Sequence, residues 1–401
     1  MKRAFFAAAV SCGGLLPAAF SPTAAQSLRI TPQVAAEGRI FFEDPQFADQ
    51  FESFQGGLIL GGDLRWTSGD RNTRILFEPY VRLDTEDNER TYADIREASI
   101  SRRLGDWNVL VGVGQVFWGV AESRNVVDIV NQFDTIEDFD QGEKLGQPMV
   151  RVSKRTNIGT LEGYYLPFFR EQLFPGQAGR LRFDPVVDTD AATFERGREE
   201  WAGDFAFRYS HAFGNFDMGL HLFHGTSRTP FLAPDLELRT LNPFYQELNQ
   251  GGIDVQYTYG PWLLKFEGAG LNVGDDTFLS SVGGFEYTLF DIGGRGVDVG
   301  LIGEYLFDGR DFRFAPITVF DNDAFAGARI TFNDTQDTEI LAGAIVDTNT
   351  GGVIASLEFQ RRLGSTILAE VEGRCFEGSD DPLVTPFGQD SHVTFRLTKY
   401  F

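Results

Sequence analysis

Residues 391–401 read SHVTFRLTKYF. Counting back in twos from Phe401 gives Lys399, Leu397, Phe395 and Val393, and the residues between are Tyr400, Thr398, Arg396, Thr394 and His392. One set is mostly apolar and the other polar, the period-2 pattern of a strand with oil on one side and water on the other. An ordinary strand at the edge of a globular sheet can carry the same pattern, so the rest of the chain must decide.

The pattern recurs. Alternating runs predict eighteen strands near 33–42, 56–66, 73–84, 92–103, 107–118, 147–156, 158–167, 201–211, 215–225, 250–260, 262–272, 277–289, 296–307, 323–333, 337–347, 352–363, 365–376 and 391–401. Leu58, Leu60, Leu64 and Trp66 alternate with Asp63 and Arg65; Phe205 and Phe207 alternate with Asp204 and Arg208. In 92–103 and 337–347 either parity gives a mixed face. Short turns such as LGDW, FGNF, YGPW and LGST carry the Gly, Asn, Asp or Pro that tight turns need. Longer acidic connections, near 43–55, 85–91, 119–146, 168–200, 226–249, 308–322 and 377–390, take the other phase, with short members near 273–276 and 348–351. A β-sandwich has no reason to keep that phase. A transmembrane antiparallel β-barrel does, with short turns at one end and long loops at the other. The expected fold is therefore all-β, a barrel of about 18 strands; 16 fits if one weak hairpin is misread.

The closing strand resembles the assembly signal of Gram-negative outer-membrane β-barrels. The resemblance implies that Phe395, Leu397 and Phe401 face lipid and are read by the barrel-assembly machinery. Lys399 departs from the pattern and is expected to snorkel to water. The other end agrees. Lys2 and Arg3 precede an apolar stretch, and Thr23-Ala24-Ala25 offers a cleavage site, so residues 1–25 read as a signal peptide and 26–401 as the barrel. Cys12 then falls inside the removed segment.

Removing residues 1–25, which hold two basic residues and no acid, takes the formal charge from −23 to −25. That charge excludes nucleic acid as a partner. It suits an outer-leaflet protein among lipid and lipopolysaccharide. Cys375 is left alone, so no internal disulfide forms. His221 and His224 form an H-x-x-H, but in a strand they point to opposite faces, and no metal site or cofactor is expected.

The third long loop, 119–146, carries Glu122, Asp128, Asp134, Glu137, Asp138, Asp140 and Glu143 against Arg124 and Lys144. In loop order and charge it resembles the inward-folded third loop of general diffusion porins, which implies a pore constriction built on those seven acids. A solvated acidic surface loop is the alternative. Trp118, Gly119, Glu122, Asn125, Asp128, Asn131 and Asp134 also resemble a W-G-E…N…D stretch of a poorly characterised outer-membrane barrel family. Val120 and Gln132 depart from it. One or two helical turns over Asn125–Gln132 would fit the spacing, with Asn and Asp as caps.

The polar faces place Arg65, Arg82, Arg151, Arg155, Arg208, Lys265, Arg329, Arg362, Arg374 and Arg396 on the expected lumen wall. Such charges filter solutes or brace the wall in cross-strand pairs. Enzyme motifs are missing: there is no G-x-S-x-G, H-E-x-x-H or P-loop. His221 and His224 beside Thr226 and Ser227 make a weak case for chemistry. The expected function is a porin-like outer-membrane channel for passive passage of small polar solutes, with no catalysis and with homo-oligomerisation in keeping. The alternatives are a dedicated exporter or specific channel for an acidic polymer or organic anion, as in the alginate-export barrel, and a structural or docking barrel.

Overall fold

The computed structural model describes residues 26–137, 142–378 and 384–401. The expected signal peptide, together with Asp138 and Asp140, lies outside the described residues. The strands are β1 (Ser27–Phe41), β2 (Phe54–Thr67), β3 (Thr73–Asp84), β4 (Tyr92–Leu104), β5 (Trp107–Gly114), β6 (Gln147–Thr156), β7 (Gly159–Leu166), β8 (Thr193–Phe194), β9 (Asp204–Phe213), β10 (Phe216–Thr226), β11 (Phe231–Asp235), β12 (Thr240–Tyr245), β13 (Glu247–Tyr259), β14 (Trp262–Val273), β15 (Asp276–Leu289), β16 (Asp298–Asp308), β17 (Asn322–Thr331), β18 (Glu339–Asp347), β19 (Val353–Leu363), β20 (Ile367–Glu377) and β21 (His392–Tyr400).

Eighteen of these form one antiparallel sheet in chain order, skipping β8, β11 and β12. The sheet closes where β21 pairs with β1, from Gln33↔Tyr400 to Phe41↔His392. Closure removes both edges, so the ring leaves no strand open to further pairing. The three skipped strands make a small sheet among the long loops, which the sequence reading left as loop.

Each expected segment holds one barrel strand, so the count is 18 and not 16. Most bounds moved by three residues or fewer; the two larger shifts are that β1 begins at Ser27 and that β5 stops at Gly114, where the chain turns into the lumen. Leu58, Leu60, Phe205, Phe207, Trp262, Leu264, Phe266 and Leu357 are all exposed on the outer wall. A wall of large exposed apolar side chains is stable in a bilayer and not in water. Lys399 faces outward with them, and its ammonium reaches Thr366 Oγ1 at 2.5 Å in the neighbouring short turn.

The two ambiguous strands have physical explanations. In β4 the register slips: Glu78 pairs with Glu97 but Pro79 with Ile95, leaving Arg96 as an extra residue. Such a bulge flips the parity, so Ile95 faces out on one side of it and Ile100 on the other. In β18 both faces are apolar because the lumen side is packed. Leu341 and Ile345 lie against Val282, Ile302, Leu306 and Phe325, with Ala121 and Val126 of the third loop.

The loop over 167–203 crosses the mouth of the barrel. Arg180 is buried over the Phe41 ring, bonds Asp390 at 2.5 Å and donates to the carbonyl of Glu52 at 2.7 Å. Gly176 donates its N–H to Asp87 at 3.0 Å.

Candidate functional site

The described parts of the connection between β5 and β6, residues 115–137 and 142–146, lie inside the lumen, held by ties spaced along them. Asn131 staples its two ends: Oδ1 accepts from Val116 N, and Nδ2 donates to the carbonyls of Gly114 and Leu145, all at 2.8–2.9 Å. Asp128 pairs with Lys144, whose ammonium also donates to the Val116 carbonyl at 2.7 Å. Burial pushes Asp128 up and Lys144 down from their ordinary values, each against the pull of the other. Trp118 is buried beside His221, Tyr164 and Arg208. Gly119 has φ +143°, and a Cβ there would lie 2.0 Å from Asn125 Oδ1; only glycine fits this turn.

The tip is seated on two wall glutamates. Glu267 of β14 accepts the N–H groups of Val120 and Ala121 at 2.6 and 2.8 Å. Glu304 of β16 accepts those of Glu122 and Ser123, each at 2.8 Å. A carboxylate bonded by two N–H groups holds backbone in place much as a helix cap does. Glu122 then reaches Arg329 of β17 at 2.6 Å and Lys265 of β14 at 3.5 Å.

The returning limb crosses to the other wall. Asp134 accepts from Arg96 and Tyr92, both at 2.5 Å. Glu137 meets Arg82 and Arg396, each at 2.6 Å, and the Tyr80 hydroxyl at 2.6 Å. Burial raises Glu137, but Arg82 and Arg396 outweigh it and hold the carboxyl below its ordinary range. Glu37 of β1 shares Arg82 and Arg396.

Of the seven loop acids, Glu122, Asp128, Asp134 and Glu137 therefore sit in ion pairs, the last three buried. Glu143 lines a cavity, and Asp138 and Asp140 lie outside the described residues. No helix forms over Asn125–Gln132; the segment is turns and bends, and Asp128 and Asn131, two of the side chains that would have capped a helix, bind the loop and its ends instead.

All ten expected wall residues lie on the lumen parity. Arg208 pairs with Asp254 at 2.8 Å, Arg374 with Glu358 and Glu372, each at 3.1 Å, Arg362 with Asp337 at 2.8 Å and Arg65 with Asp63. Arg151 and Arg155 face inward from β6. The sequence reading missed Glu37, Arg90 and Arg96. Arg90 pairs with Asp84 at 3.1 Å. Arg96 was hidden by the β4 bulge, while Glu37 stands on the inward parity of β1 and was legible there. His221 is buried in the lumen and His224 exposed outside, and no group of three metal ligands occurs among the described residues.

What the loop leaves of the lumen is lined in part by charged groups. A cavity of about 350 Å³ lies between it and β17–β21, lined by Glu143, Arg329, Glu339, Glu358, Glu370 and Arg396. A wider one of about 740 Å³ opens at the short-turn end beside Arg29, Asp63, Arg65 and Glu78.

No family model and no curated sequence matches the chain. Solved structures do match. A BenF-like porin from Pseudomonas fluorescens Pf-5 superposes with a TM-score of 0.53 at 10% identity, over 94% of this chain and 98% of that one. The fold is that of an outer-membrane porin. Pseudomonas aeruginosa OccK11 (OpdR) gives a TM-score of 0.52 at 8% identity, over 94% and 96% of the two chains. OccK9 (OpdG) from the same organism gives 0.51 at 10%, over 94% and 97%. At such identities the porin likeness is one of architecture.

Proposed function

We propose that this porin-fold barrel is an outer-membrane channel for passive passage of small polar solutes, exported through a cleaved signal peptide over residues 1–25. The lumen loop narrows it, and solutes pass between that loop and the β17–β21 wall. The observation that carries the reading is the seating of the loop. It is tied to opposite walls and leaves a charged, water-compatible gap on one side, where an apolar plug would have filled the barrel. No bond-making chemistry is assigned to the chain. Arg82, Arg329 and Arg396 are committed to loop acids, which weighs against an arginine-lined track for an acidic polymer. Lipopolysaccharide around the rim, folding by the barrel-assembly machinery and a homo-oligomer all accord with the reading.

Purified protein in a planar bilayer tests it. Stable, discrete current steps are expected in KCl. A protein that folds, inserts and stays electrically silent would sink the channel reading and favour a docking barrel.

A further inference from the structure

Asp128 and Lys144 differ from the other charged pairs of the lumen loop. Glu122, Asp134 and Glu137 meet arginines, and a guanidinium stays charged and is no nucleophile. Glu122 also has an amine near it, Lys265, but at 3.5 Å, and Glu286 shares that amine at 3.7 Å. Lys144 Nζ instead touches Asp128 Oδ2. Both residues are buried, Lys144 at 7% and Asp128 at 6% exposed. They lie sixteen positions apart in the chain and join the outgoing limb of the loop to the returning one.

The surroundings of this pair suit an acyl transfer. The rings of Phe117 and Phe133 lie 5.0 and 5.6 Å from the amine. The Val116 carbonyl accepts from Nζ at 2.7 Å and fixes its direction. On the far side of the carboxyl, the Trp118 N–H reaches Asp128 Oδ1 at 3.4 Å, and the charge of Arg208 acts on the same group. A donor in that place supports negative charge as it develops on the oxygen. Burial favours the neutral form of each partner, raising Asp128 and lowering Lys144. A proton can therefore pass from the ammonium to the carboxylate within the contact. Groups held together in this way react as if at very high concentration.

We propose that the chain joins Lys144 to Asp128 by an isopeptide bond of its own making. After the proton transfer, the Nζ lone pair attacks Asp128 Cγ, and charge collects on Oδ1 beside the Trp118 N–H. The bond from Cγ to Oδ2 then breaks. The departing hydroxyl takes a further proton from Nζ and leaves as water. One C–N bond replaces one C–O bond, nothing is oxidised or reduced, and no co-reactant enters. The amide keeps an N–H for the Val116 carbonyl and an oxygen for the Trp118 N–H, and it removes two charges from a buried site. The two limbs of the loop can then no longer part. The cross-link does not depend on the channel reading.

Peptide mass spectrometry of barrel extracted from membranes tests it. Trypsin cuts between Lys144 and Leu145 only when the lysine amine is free. The wild type is expected to give residues 125–151 as one peptide, lighter than its sequence by one water, with fragment ions placing the loss on a link between Asp128 and Lys144. Lys144→Arg keeps a charge pair but offers no amine, and Asp128→Ala removes the acyl group. Both should give peptides that end at position 144, at full mass. Heat-modifiability on gels confirms that each barrel has folded, and Lys144→Arg suffices if Asp128→Ala does not fold. A folded wild type that releases residues 125–144 at full mass overturns the proposal. So does a loss of water that persists in Lys144→Arg, which would place the dehydration elsewhere.

Discussion

Asp134 has no exposed surface, and its charge is matched by Arg96. Removing one partner of a buried ion pair costs about 3–5 kcal/mol, because the other charge is left stranded. Asp134→Asn with Glu137→Gln leaves Arg96 with only Asp94, and Arg82 and Arg396 with only Glu37, as ion-pair partners among the described residues. The expected result is a lumen loop cut more readily by protease and a reversal potential shifted toward anions in a low-salt gradient. The shift should shrink at 1 M salt, where the Debye length is about 3 Å. An unchanged potential together with an unchanged cleavage pattern would mean that these pairs neither hold the loop nor shape the field.

Glu171, in the loop across the mouth, is a different residue-scale case. Burial and the nearby Glu200 and Asp190 push its carboxyl up to about 7 from an ordinary 4.5. The folded loop therefore binds a proton that the unfolded loop releases between those values. Loop stability is fully present below about pH 4.5 and falls as pH rises toward 7. Proteolysis within 167–203 is expected to be slower at pH 5.5 than at pH 8, and Glu171→Gln should flatten that dependence. Equal pH dependence in the variant would assign the effect to another group.

At the scale of elements, the parity of the strands makes the sharpest prediction. Phe207→Arg or Val255→Arg places a cation in lipid at a cost of about 2–4 kcal/mol near the midplane, read as a lower yield of heat-modifiable barrel. Gln256→Ala, on the lumen parity, should fold normally. Arg208→Ala stands apart from it, since Asp254 and Trp118 both lean on that side chain, and moderate destabilisation is expected. Equal yields from Val255→Arg and Gln256→Ala would show the parity to be inverted.

Strands were readable because alternation is local. The seat of the lumen loop was not, although its residues were. Glu122, Asn125, Asp128, Asn131 and Asp134 stood out by type and by spacing, yet three-residue spacing suggested helical turns. Their partners decide otherwise, and several are remote: Arg329 stands 207 residues from Glu122, and Glu304 is 181 from Ser123. Nothing in a single sequence announces that a Glu and an Arg so far apart will meet. The acids were read as a field facing open water, whereas the folded chain uses most of those described as anchors.

For the whole molecule, the seam between β1 and β21 decides whether the ring exists. Phe401 donates its N–H to the Pro32 carbonyl at 3.0 Å, and its ring faces outward, 69% exposed. Deleting Phe401 removes both that bond and the outermost apolar group of the series with Phe395 and Leu397. Less membrane insertion and more protease-sensitive periplasmic protein are expected. Normal amounts of heat-modifiable barrel after the deletion would remove Phe401 from any part in assembly.

A ring of eighteen strands is mechanically a thin hoop, easily squeezed into an ellipse by lateral pressure in the membrane. Arg96 stands on β4 and Glu304 on β16, nine places apart in that ring, so the loop that binds both spans a diameter. It acts as a spoke. With it in place, flattening the hoop along that diameter must compress the loop, and stretching it must break charged hydrogen bonds at one end. On the channel reading, cross-section and aperture are thereby coupled: whatever frees one end of the spoke is expected to widen the gap beside it and also to let the wall breathe.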